Sequence, residues 1–174
     1  MKKYKLKLHI ICGFVGSGKT TLAKKLEKQY QAIRFSTDEW MIELFNFNGN
    51  FGKKYRESKK RCKEFIWKLS KEILLSGQDV ILDFGFWSKK ERLLFCKRAK
   101  KIGVEPMLYF LDIPTDELKK RITIRNEKLD KKTFKITMRW FNKWLPLFET
   151  PKSSENPITI KASTKLQPTS RFPQ

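Results

Sequence analysis

Residues 13–20 read GFVGSGKT, a full match to G-x-x-x-x-G-K-[ST] through Gly13, Gly18, Lys19 and Thr20. Each residue type has a physical task in a phosphate loop. Gly13 and Gly18 permit backbone angles that side chains resist. The loop can then turn successive N–H groups inward as an anion nest at the positive end of a helix. Gly16 adds a point of close approach. A lysine at position 19 reaches β- and γ-phosphates, and a hydroxyl at Thr20 ligates Mg²⁺. The expected nucleotide seat is Gly13, Val15, Gly16, Ser17, Gly18, Lys19, Thr20 and Thr21. The context is the one such a loop requires. An apolar run, 7–12, precedes it, and 19–30 repeats Leu22, Leu26 and Tyr30 at helical spacing.

The same alternation continues outward. A short strand is expected at 32–35. Thr37 can cap a helix over 39–45. A polar loop, NFNGNFGKK, follows. A long helix is expected over 57–75, with Cys62, Phe65, Ile66, Leu69 and Ile73 as one apolar stripe. DVILDF (79–84) is an unbroken apolar run of buried-strand type. Ser88 with Glu91 forms a capping-box pattern for a helix reaching Ile102. A strand is expected at 105–111 and a helix from Pro114 to about Asn126. A further helical stripe runs through Phe134, Met138, Phe141, Leu145 and Phe148. Strand-helix alternation of this kind implies an α/β fold whose mostly parallel sheet is covered on both faces. Ligands then sit beyond the carboxyl ends of the strands. Residues 12–13, 36–38, 83–85 and Asp112 all fall at those ends.

The whole chain has 174 residues, which suits one α/β domain. At 40% hydrophobic it has the material for a core. No apolar run approaches the roughly 18 residues that span a bilayer, so no membrane partner is expected. The start, MKKYKLKLHIICGFVG, is superficially like a signal peptide. Lys5 and Lys7 interrupt it and it runs into the phosphate loop, so it reads as a first strand of a cytoplasmic protein. Cys12, Cys62 and Cys96 are widely spaced within apolar patterns and read as buried free thiols. With His9 the only histidine, no zinc site can be built. Lys and Arg number 39 against 18 acidic residues, a net charge of +21. Such an excess attracts polyanions such as RNA. The alternative is a lysine-rich composition spread over solvated helix faces. No RNA- or DNA-binding signature accompanies the lysines. From Pro151 the composition becomes rich in Pro, Ser, Thr and Lys. Residues 1–150 thus read as the domain and 151–174 as a polar tail, with a candidate last strand at 158–160.

Several stretches together resemble the P-loop kinases of the AAA_33-type group. That group takes in zeta-toxin-like, chloramphenicol-phosphotransferase-like and polynucleotide-kinase-like proteins. The stretches are GFVGSGKTTLAKKL, STDEW, DVILDFGFWSKKER, YFLDIPTDELKKRITIRN and the segment ending LFETP. They cover roughly residues 7–150. The resemblance implies a three-layer P-loop NTPase fold of nucleotide-kinase type with a small helical lid, placed at about 126–133. It implies ATP and Mg²⁺, and transfer of the γ-phosphoryl group to a hydroxyl-bearing acceptor. A small-molecule acceptor and a nucleic-acid 5′-hydroxyl both remain open, as does a nucleotide-gated ATPase or binding protein with no dedicated acceptor. Adenine over guanine is implied by the resemblance alone, because KASTKLQP after the last strand matches no base-binding pattern.

In such kinases a carboxylate just after the second strand takes the proton of the acceptor hydroxyl. Asp38 occupies that place, and a carboxylate near the phosphate edge can orient and deprotonate a hydroxyl. Its other reading is helix capping. Glu39 is a second candidate one residue further into the helix. Asp83 ends the VIL run as a Walker B aspartate does, and with Thr20 it forms the expected metal pair. A buried aspartate there is costly without a partner. Arg121 and Arg125 lie four apart on one helix face, where the resemblance implies arginines that close on the phosphates. Lys19, Asp38, Arg121 and Arg125 are the expected catalytic set. Phe84, Phe86 and Trp87 can shape the acceptor pocket or simply pack.

Overall fold

Five short apolar runs pair side by side in the computed structural model, which describes residues 5–47, 49, 51–128 and 134–162. They are β1 (Lys7–Cys12), β2 (Ile33–Ser36), β3 (Val80–Gly85), β4 (Glu105–Asp112) and β5 (Ile158–Lys161). The order across the sheet is β2-β3-β1-β4-β5, and every pairing is parallel. Parallel neighbours need crossovers, which here are α1 (Lys19–Tyr30), α2 (Thr37–Phe45), α3 (Lys53–Leu75), α4 (Lys89–Lys101) and α5 (Thr115–Glu127). A shorter α6 (Met138–Trp144) follows α5.

The central strands read as continuous apolar runs because both faces are covered. All six residues of β3 are buried. On one face Leu22, Ala23 and Leu26 of α1 pack on Ile11, Ile81 and Tyr109. On the other, Met41, Cys62, Ile66 and Phe95 of α2, α3 and α4 meet Leu8, Ile10, Leu82 and Phe84. A third cluster caps the carboxyl edge, with Phe14, Phe51, Leu118, Ile122, Ile136 and Phe141. No helix among the described residues is long and apolar enough to cross a membrane. Cys12 and Cys62 are buried and Cys96 half-buried, and all three are free. Burial pushes the Cys12 thiol up to about 12, so it behaves as core.

Several boundaries differ from the sequence expectation for local reasons. Ser36, not Thr37, caps α2: its hydroxyl accepts from the Glu39 N–H, and Thr37 is the first helical residue, fully buried. The long helix starts at Lys53, four residues earlier than periodicity suggests, because Tyr55 stacks on Phe47 at 4.2 Å and so belongs to the folded aromatic cluster. Phe65 drops out of the apolar stripe and is 55% exposed, while Ser70 and Leu74 join the buried face. Only half of the capping box forms: the Ser88 hydroxyl accepts from the Glu91 N–H, but the Glu91 carboxylate pairs with Lys63. The last helical stripe breaks after Trp144 into a 3-10 turn, Leu145–Leu147, where Pro146 has no N–H for an α-helical bond.

One buried charge fastens the far end of the chain. Arg92 of α4 is 1% exposed and forks onto Glu155, with Nε 2.6 Å from Oε2 and Nη2 3.0 Å from Oε1. Its remaining nitrogen, Nη1, donates to the carbonyls of Phe86, Trp87 and Glu149. The turn after β3 and the segment before β5 are thus held by the same guanidinium. The run at 158–160 is part of β5, paired to β4 from Tyr109↔Ile158 to Asp112↔Lys161.

Candidate active site

A cleft of about 320 Å³ opens at the carboxyl edge of the sheet. Lys19, Thr20, Asp38, Asp83, Arg121 and Arg125 all line it, together with Val15, Gly16, Gly18 and Thr21. Gly13 and Ser17 are in the loop but not on its surface. Ser17 is buried beneath it, and a Cβ on Gly13 would fall 2.5 Å from the Ser17 hydroxyl. Gly16 and Gly18 have φ of 80° and 95°, the left-handed region where glycine is at home. A Cβ on Gly16 would also come within 2.9 Å of Ile122, so α5 and the loop shape each other. Lys19 folds back along the loop and donates to the Phe14 carbonyl at 2.9 Å. Burial pulls its ammonium below the ordinary lysine range, opposed by Asp83 and Asp38.

Asp83 ends up with the partners a buried carboxylate requires. The Thr20 hydroxyl donates to its Oδ2 at 2.9 Å, and Arg34 Nη1 stands 3.6 Å from the same oxygen. Burial raises the Asp83 carboxyl above the usual range, with Lys19 and Thr20 acting against it. A hydroxyl and a carboxylate side by side are hard oxygen donors of the kind Mg²⁺ takes, so these two residues fit the ion.

Asp38, in the first turn of α2, sits on the other side of the cleft. Its Oδ1 accepts from Lys59 Nζ at 2.8 Å, and Lys59 also donates to the Tyr55 hydroxyl at 3.0 Å. Loss of water within the cleft raises the Asp38 carboxyl. Lys59, backed by Lys19 and Lys63, outweighs that and brings it below the usual carboxylate range. Glu39 also lines the cleft, but its carboxylate is engaged by Arg34, whose Nη2 stands 2.9 Å from each of its two oxygens.

Arg121 and Arg125 line the cleft from α5. Arg121 pairs with Glu117 one turn back at 2.8 Å. Arg125 donates to the Phe134 carbonyl at 3.2 Å, while its buried Nε has no hydrogen-bond partner among the described residues. Of the expected lid, residues 129–133 lie outside the described residues. Asn126 ties the flank, exchanging two hydrogen bonds with the backbone of Ile136. The three aromatics at the end of β3 and just after it separate. Phe84 lines the cleft, Phe86 is core stacked on Phe84, and Trp87 packs against Phe14 and Trp144.

Sequence reasoning missed Arg34, Tyr55, Lys59 and Lys63. An arginine inside a four-residue strand was the one available signal, since a charge there needs carboxylate partners. Lys59 and Lys63 carried no signal, being two of the seven lysines of α3.

Comparison with known proteins adds relatives to this geometry. The AAA_33 family model, described as an AAA domain, matches residues 8–151. A shikimate kinase of Caldicellulosiruptor saccharolyticus is 29% identical over 127 residues, covering 68% of this chain and 66% of its own length. Among solved structures, a chain of the Pnkp1/Rnl/Hen1 RNA repair complex superposes with a TM-score of 0.66 at 21% identity, covering 84% of this chain and 45% of that one. The Mycobacterium tuberculosis APS kinase CysC, in complex with AMPPNP and APS, superposes at 0.61 with 18% identity, over 92% of this chain and 91% of that one. The chain thus spans just under two thirds of the curated relatives it matches, 66% and 62%, and less than half of the RNA repair chain, 45%. The structural likenesses are likenesses of fold.

Proposed function

This chain belongs to the AAA domain family, and from that premise we propose that it is an ATP-dependent phosphotransferase that moves the γ-phosphoryl group to a hydroxyl of a small acceptor. The observation that carries the reading is one cleft in which a glycine-shaped phosphate loop, a Thr20–Asp83 oxygen pair, two arginines and an ionised Asp38 face one another. A kinase relative and kinase folds among its structural neighbours support it.

The chemistry follows from what each residue can do. The loop N–H groups and Lys19 hold the β- and γ-phosphates. Bound Mg²⁺ would be held by Thr20 and Asp83 and would offset charge on the phosphate oxygens. Asp38 accepts a hydrogen bond from the acceptor hydroxyl and aims its oxygen at the γ-phosphorus. A bond forms between that oxygen and phosphorus, and the bond from phosphorus to the bridging oxygen breaks. ADP departs with that electron pair, and the hydroxyl proton passes to Asp38. Arg121 and Arg125, with fixed charge and forked donors, suit the three equatorial oxygens of the group in transit.

The test is transfer of label from γ-labelled ATP into a total metabolite pool and into total RNA, by the protein and by Asp38→Asn. Label in metabolites that falls by about 10²–10⁴ in the variant is the expected result. Label at RNA 5′ ends would replace the small acceptor with a polynucleotide. Release of free phosphate alone, equal in both proteins, would leave an ATPase with no dedicated acceptor and overturn the reading.

A further inference from the structure

Lys59 poses a chemical problem for the site just described. An ammonium 2.8 Å from a general base keeps that base ionised but also weakens it, because it stabilises the very charge that must accept a proton. Lys19, Arg121 and Arg125 already line the cleft with the phosphate loop. Lys59 and Lys63 are further cations, outside the lining of that cleft but beside two residues that do line it, Asp38 and Phe84. They lie one turn apart on α3, so both reach the sheet edge from the same face. Lys59 rests on the Tyr55 ring, 5.4 Å from its centroid, and Lys63 lies 5.7 Å over the ring of Phe84, which lines the cleft. Each ammonium is oriented by one carboxylate, Asp38 or Glu91, and Lys59 gives a second of its three donors to the Tyr55 hydroxyl, which among the described residues leaves the third for a ligand.

We propose that Lys59, supported by Lys63, is the seat for an anionic group on the acceptor, and that the acceptor is a small compound bearing a carboxylate or phosphate close to the hydroxyl that is phosphorylated. This rests on the phosphotransferase reading and narrows its acceptor. When the anion takes the Lys59 ammonium, the pull on Asp38 falls and the carboxylate turns to the incoming hydroxyl. Before that, Asp38 is occupied by Lys59 and is a poor activator of water. The close approach of Lys59 and Asp38 sets the spacing: anion and hydroxyl must belong to one compact molecule.

A metabolite extract freed of polynucleotide, split on an anion exchanger into retained and flow-through fractions, tests this with γ-labelled ATP. Label is expected in compounds of the retained fraction. Lys59→Met should raise the KM for that fraction by about 10- to 100-fold, the loss of one charged hydrogen bond. Lys59→Arg, which keeps a cation, should recover much of it. Lys60→Met, which removes an equal charge from the exposed side of α3, should match the unaltered protein. Label only in the flow-through, or equal KM in Lys59→Met and the unaltered protein, overturns the anion seat while leaving the phosphotransferase intact. Label in neither fraction overturns the phosphotransferase reading, and the anion seat with it. Comparing hydroxy acids with phosphate monoesters from the retained fraction then separates the two sources of anion.

Discussion

The two sides of the cleft are made of different materials. The phosphate side is backbone: a loop whose shape depends on Gly16 and Gly18 at positive φ, leading into the start of α1. The proposed acceptor side is side chain: Asp38, Lys59, Tyr55 and Lys63, brought together from α2 and α3 by the packing of two helices. Backbone donors recognise what every nucleoside triphosphate has in common. Side chains can be exchanged one at a time without disturbing the loop. The contrast implies a donor seat that is fixed and an acceptor seat that is adjustable.

The largest expected effect strikes the phosphate side. Lys19→Met removes the side-chain cation that follows charge onto the γ-phosphate, and kcat should fall by about 10²–10³-fold. A loss much smaller than this in steady-state transfer would mean that backbone and arginines suffice, and would sharpen the contrast between a backbone donor seat and a side-chain acceptor seat. Next comes Gly16→Ala. A left-handed residue with a Cβ costs about 1–2 kcal/mol, and that Cβ would also press on Ile122 at 2.9 Å. Affinity for ATP, read by calorimetry, should drop by about 5–30-fold. The smallest effect is a shift of pH dependence on the acceptor side. Asp38 is held below the usual carboxylate range, so it stays ionised as pH falls until that depressed value is passed. The acid limb of kcat/KM should therefore lie below where an ordinary carboxylate would put it. In Lys59→Met the desolvation of the carboxyl goes unopposed by its main partner, and the limb should move up. A limb that stays in place would show that some other group governs it.

The same contrast explains what could be read from the sequence. Eight contiguous residues spell the phosphate loop, and a buried apolar run ending in aspartate spells β3, so the fold and half the site are written locally. Asp38 was picked out by the resemblance to kinases that carry a carboxylate just after the second strand. Its partner Lys59 lies 21 residues away in a helix with many lysines, and only packing selects it. Arg34 showed only as a charge within a short strand: its link to Asp83 needs the register Ser36↔Asp83 between β2 and β3, which exists only in the folded sheet. Phe84 and Phe86 have the same sequence character. In the fold both are core and stack on each other, Phe86 at a positive φ of 46°, and only Phe84 also lines the cleft.

The guanidinium of Arg92 sets a rule for anyone shortening this chain. The family match stops at residue 151, which invites a stop codon there. Such a cut would remove Glu155, the carboxylate onto which Arg92, 1% exposed in the intact fold, forks. An unpaired buried charge of this kind costs about 3–5 kcal/mol, a large part of what holds a domain of this size together. The turn at Phe86 and Trp87, whose carbonyls the same nitrogen grips, would loosen directly behind the phosphate loop. The shortest fragment worth expressing therefore runs through Lys161, ten residues past the border that homology draws.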